Sequence, residues 1–120
     1  MNVKFKSVDN ENNIIEFDSS YVLEQNVYIF DDKSSENTKI YLKNNNGVIN
    51  IKREGNVSMD ITLSTNGKHK GSYKNNEGLM IDFYVLTKEL IIKSNNIYAT
   101  YDLIIENDII NSHKMWILFH

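Results

Sequence analysis

The chain of 120 residues contains no cysteine and no proline, and it has one arginine against 12 lysines, five glycines and a single tryptophan. Without cysteine there can be no disulfide, no thiolate metal site and no cysteine nucleophile. Without proline, a residue that natural sheets use to blunt exposed edges, a sheet closed on itself is favoured. An AT-rich codon bias would explain the same absence, since asparagine occurs 18 times and isoleucine 16 times. That bias points to a low-GC bacterial genome, with Asn44-Asn45-Asn46, Asn75-Asn76 and Asn95-Asn96 filling turns. Long apolar runs are lacking as well. Met115-Trp116-Ile117-Leu118-Phe119 is far shorter than the roughly 20 residues a membrane-spanning helix needs. The chain enters a strand pattern at Val3 without the apolar core of a signal peptide, so the expectation is a cytoplasmic protein with no membrane insertion. Charge of one sign is also in short supply. Thirteen basic and 16 acidic residues are interspersed to a net charge of −3, which leaves no global basic field for nucleic acid.

What is present is alternation. Apolar and polar residues alternate through Val57 to Leu63, Leu79 to Val85 and Ile97 to Leu103, and no segment holds a helical period. Strands are predicted near 2–8, 13–24, 26–31, 37–44, 47–54, 56–65, 70–75, 78–87, 89–95, 97–106 and 109–119. Asn46-Gly47 and Asn66-Gly67 are the sharpest hairpin signals, because type I′ turns require positive φ at both central residues. The Asp31 to Asn37 stretch is the longest polar loop and is expected to be the most mobile. Connections this short force neighbouring strands to be antiparallel. The result is one up-and-down meander spanning 1–120, and so many strands tend to curl and close.

Three rows are expected to face inward: Val57, Met59, Ile61 and Leu63; Leu79, Ile81, Phe83 and Val85; and Ile97, Ala99, Tyr101, Leu103 and Ile105. Asp60, Asp82 and Asp102 then fall on the solvated outer face, which argues against a catalytic carboxylate pair. Tyr28 with Phe30, and Met115 with Ile117 and Phe119, lie on strands apolar on both faces, so a second layer or a dimer is expected to cover one face.

From Tyr28 onward the chain resembles the YwiB-like family of uncharacterised bacterial proteins. The matching residues are Val27-Tyr28-Ile29-Phe30, Arg53-x-Gly55, Gly67, Tyr73, Gly78, Thr87 with Leu90, and Tyr101-x-Leu103. Asn75 departs from the Thr such proteins carry there, though it can still cap the turn before Gly78. The resemblance implies a calycin-like, lipocalin-related β-barrel of about eight to ten strands with an interior, and no established activity.

Arg53, the only arginine, can grip a carboxylate through two parallel hydrogen bonds, which lysine cannot do. It either meets the acid group of an amphipathic ligand or ends its strand in a rim ion pair. Tyr73 and Tyr101 can supply hydroxyls to an apolar cavity or simply pack half-buried. Lys68-His69-Lys70 is the one basic cluster, and it reads as a solvated hairpin tip. His113 and His120 stand alone, no metal-ligand spacing occurs, and no Gly-x-Ser-x-Gly elbow exists, so neither a metal, a cofactor nor an enzyme is expected. The leading expectation is a barrel binding a small apolar or amphipathic molecule through Arg53, Tyr73 and Tyr101. The alternative is a side-chain-filled barrel that acts as an interaction module or homodimer.

Overall fold

The computed structural model describes residues 1–120 as ten strands and no helix: β1 (Asn2–Asp9), β2 (Ile14–Glu24), β3 (Val27–Asp31), β4 (Lys39–Asn45), β5 (Val48–Glu54), β6 (Val57–Leu63), β7 (His69–Asn75), β8 (Met80–Ile92), β9 (Asn96–Ile105) and β10 (Asp108–Phe119). Each pairs antiparallel with its sequence neighbours, and β1 also pairs with β10 to close the barrel. Reciprocal bonds between Asn2 and His120, at 2.7 and 2.8 Å, seal the seam. With no strand edge left open, the sheet needs no proline to protect itself. No helix is long and apolar enough to cross a membrane.

Asn46 and Gly47 hold φ of 53° and 89°, as a type I′ turn requires. Asn66-Gly67 behaves differently: only Gly67 has positive φ, and the pair sits inside a five-residue loop between Leu63 and His69. Two tight turns carry no glycine, with Gln25-Asn26 and Glu106-Asn107 all at positive φ. The predicted strands 78–87 and 89–95 are one strand, β8. Its alternation changes phase at Lys88, where the pairing with β9 slips between Thr87 and Glu89. A phase break in the pattern is therefore a bulge here, not a turn.

The ends of the barrel differ. At the end holding the chain termini, Val3, Leu42, Ile49, Leu63, Val85 and Ala99 are completely buried. Tyr21, Tyr28 and Phe119 plug that end, their rings 4.3 to 5.5 Å apart. The expected outer apolar patch is thereby corrected. Met115, Ile117, Phe119 and Phe30 are core residues and Tyr28 packs against them, because the pleat turns that parity inward. The outer row of β10 is Trp116 and Leu118, with Tyr98 at 5.4 Å from Trp116 and the Lys6 ammonium at 5.5 Å. Of the predicted inward rows, Leu79 lies in a turn and is exposed. Asp102 does face outward, yet it is buried: bulged Lys88 reaches it at 3.2 Å and the Ser112 hydroxyl donates to it at 2.7 Å.

Candidate functional site

The opposite end is not filled. A cavity of about 280 Å³ lies inside it, lined by 16 residues of which ten are hydrophobic, including Phe5, Ile40, Ile51, Met59, Ile61, Leu103 and Met115. The volume sits at the lower edge of the roughly 300–1,000 Å³ common for small-molecule pockets. The exposed lining residues Ile15 and Ser34 both belong to this end, so the cavity meets solvent there. Arg53, Tyr73 and Tyr101 all line it, brought together from β5, β7 and β9.

The position of Arg53 follows from the loop Asp32–Thr38. Gly55 has φ of +151°, and a Cβ there would stand 1.9 Å from the Asn37 carbonyl oxygen and 2.6 Å from the Thr38 Cα. Only glycine lets the loop backbone come so close. The loop thus folds over the end of β5, and Asp32 reaches Arg53: Nε donates to Oδ2 at 2.7 Å. Asp32 Oδ1 accepts from the Ser34 amide at 2.9 Å and from the Ser34 hydroxyl. The Asp32 amide bonds the Thr38 carbonyl at 2.9 Å, and the Thr38 hydroxyl bonds Glu36 and Ser35. The polar stretch expected to be the most mobile is therefore pinned over one side of the cavity. The Arg53-x-Gly55 spacing has a physical meaning: one residue supplies the fork and the other admits the loop that carries its partner.

Asp32 and His113 line the cavity too, and neither was singled out from sequence. His113 pairs with Tyr101 across β9 and β10, the rings stacked at 5.1 Å and 13°. Its Nδ1 is buried without a hydrogen-bond partner. Burial holds its pKa below that of a free histidine, with the Asp9 carboxylate opposing, so the ring is neutral at neutral pH. Burial likewise pushes the Tyr101 phenol far up, against the opposing Arg53 charge, so it stays protonated. A signal for His113 did exist. It shares the parity of Met115, Ile117 and Phe119, a polar ring continuing an apolar row.

Charge is sorted along the barrel axis. The strand ends and loops around the cavity carry Asp9 and Glu11, Asp31, Asp32 and Glu36, Glu54, Glu77, and Glu106 with Asp108, nine carboxylates against Lys33, Lys39, Arg53 and Lys74. The plugged end holds Lys43, Lys68, Lys70 and Lys93 against Glu24. The basic cluster splits across the wall, with Lys68 outside over the Tyr84 ring at 5.9 Å and the His69 Nε2 buried.

The family model described as a domain of unknown function, DUF1934, matches residues 2–117. The fold is similar to the crystal structure of the ywiB protein from Bacillus subtilis, with a TM-score of 0.71 and 22% identity over 97% of this chain and 87% of that one. No curated protein matches the sequence.

Proposed function

Since the chain belongs to the DUF1934 family, a domain of unknown function, we propose from the site itself that the protein binds one small, mainly apolar molecule inside the barrel. The observation that carries this reading is the half-filled interior. One end holds completely buried aliphatic side chains, while the other keeps a cavity of about 280 Å³ whose mostly apolar walls also carry polar groups from β1, β5, β10 and the Asp32–Thr38 loop. Apolar walls supply the affinity, at roughly 0.8 kcal/mol per methylene removed from water. Tyr73 and Tyr101, joined by His113, set the orientation of the polar end, beside an Arg53 that Asp32 already holds. We read the site as a binder and not an enzyme because Asp32, the carboxylate inside it, has both oxygens engaged, one by Ser34 and one by Arg53. The compartment that fits this reading is a bacterial cytoplasm.

The test is fluorescence titration with N-phenyl-1-naphthylamine, an uncharged apolar probe, against the wild type and a cavity-filling Ile61→Phe variant. Saturable one-to-one enhancement that the variant loses supports the reading. No enhancement, or equal enhancement in both proteins, overturns it.

A second reading rests on a different observation. Ile14, Leu79, Met80, Ile109 and Ile110 are 50 to 71% exposed at the cavity end, and an apolar rim of this kind suits a homodimer or another protein. Sedimentation at increasing concentration tests it, since a strict monomer removes the homodimer.

A further inference from the structure

Building on the cavity as a ligand site, we infer that its occupant has an uncharged hydrogen-bonding head, of the alcohol or amide class, anchored by Tyr101 and His113 and not gripped as a carboxylate by Arg53. Arg53 already has its counter-ion. Its Nε lies 2.7 Å from an Asp32 oxygen, and the Asp32 side chain is 2% exposed, so the pair enters the cavity as a neutral unit. A ligand carboxylate would leave one uncompensated negative charge among ten hydrophobic residues, and desolvating such a charge is strongly unfavourable. An ammonium fares no better, because Arg53 already neutralises Asp32 and an added cation would be left uncompensated among the same apolar walls.

Approach adds to the discrimination. The strand ends and loops around the cavity carry nine carboxylates against four cations, so an anion meets a repulsive potential before it reaches the site. Apart from the outer guanidinium N–H groups of Arg53, whose charge Asp32 already balances, what the cavity leaves unpaired is neutral. The buried Nδ1 of His113 has no partner, and the Tyr101 hydroxyl, donor and acceptor in one group, stands on the ring stacked beside it. A hydroxyl or a primary amide, each both donor and acceptor, can satisfy that pair, bonding the Tyr101 hydroxyl directly and His113 Nδ1 after a small turn of its ring out of full burial.

Methyl-detected NMR of the wild-type protein at pH 7.5, following Met59 and Met115 during titration with octanol, octanamide, octanoate and octylammonium, tests the inference directly. The expected result is saturable shifts with octanol and octanamide binding at least tenfold more tightly than either ion. Tyr101→Phe and His113→Phe should each narrow that preference threefold or more, and a preference unchanged in both would overturn the anchoring assignment. If octanoate or octylammonium binds as tightly as octanol, the head-group inference falls while the cavity reading stands. Should none of the four shift the two methyls, both fall.

Discussion

Replacing Arg53 by methionine and Asp32 by asparagine, singly and together, should destabilise the protein unequally and non-additively. Methionine keeps much of the arginine stem's apolar contact, so the change mainly removes the charge and its donors. Asp32 would then be a carboxylate on a side chain 2% exposed, left with only Ser34 to hydrogen-bond it. Breaking a buried pair in this direction costs about 3–5 kcal/mol. The cavity meets water, which can relieve part of that, so about 2–4 kcal/mol is expected for Arg53→Met. Asp32→Asn acts on the other partner. The Arg53 side chain is 23% exposed and its guanidinium can hydrate, so about 1–2 kcal/mol is expected there. In the double variant no charge is stranded, and the loss should fall short of the sum of the single losses by about 1–3 kcal/mol. Urea unfolding followed by far-UV circular dichroism measures all four proteins, with a common m-value as the check that only stability has changed. In heat denaturation the Arg53→Met protein should melt roughly 10 °C lower. Equal losses in the two single variants, or strict additivity in the double, would refute the claim that this is a buried and asymmetric ion pair.

Gly55→Ala should cost about 2–4 kcal/mol, because its Cβ collides with the loop backbone at Asn37. The same variant should shift the Ser34 amide resonance as Asp32 is displaced, whereas Gly47→Ala, with nothing within 4 Å of its Cβ, serves as the turn control. Leu42→Ala at the packed end should cost about 3–5 kcal/mol and Met59→Ala, which enlarges an existing cavity, about 1–2 kcal/mol; urea midpoints that rank them in reverse would contradict the half-filled interior. Stability should fall as pH drops through about 6.5, because the unfolded chain then takes up a proton that folded, neutral His113 refuses, and it should level off below the depressed folded pKa. His113→Gln should flatten that slope in pH-dependent urea unfolding. The lowered carboxyls of Asp9 and Asp31 act in a separate window, losing their contribution only as pH falls below about 4.

The barrel was legible in the sequence because strand faces repeat with period two and the turns carry asparagine and glycine. Ile61, Leu63, Phe83, Val85, Ile97 and Ala99 are buried as their alternation requires. Parity is relative, however. Strands such as β3 and β10 carry apolar residues at both parities, and only the neighbours chosen by closure decide that Phe30 and Ile117 face in while Trp116 faces out. Bulges escaped for a related reason, since the phase change at Lys88 looks like a strand boundary when the partner strand is unknown. Arg53, Tyr73 and Tyr101 share one cavity, but Asp32 was hidden in a loop that only the Gly55 approach folds back onto β5. Sequence spacing cannot register a contact across 21 positions that depends on the absence of a Cβ.

The two ends of the barrel divide the work of folding and of binding. The plugged end, with its completely buried aliphatic side chains and three clustered aromatics, supplies stability without any contribution from the cavity. At the loop end, leaving about 280 Å³ unfilled forgoes roughly 7 kcal/mol of packing if the space stays dry, at about 24 cal/mol per Å³. That is comparable with the whole stability of a typical domain, about 5–15 kcal/mol, so a dry void is a poor resting state. Water relieves it only in part, because about nine molecules at roughly 30 Å³ each would face walls that are mostly apolar. A molecule that covers those walls and still gives Tyr101 and His113 a partner removes both penalties at once. The Asp32 loop contributes by occupying Arg53 in advance, so the one strong cation in the barrel does not dictate what enters.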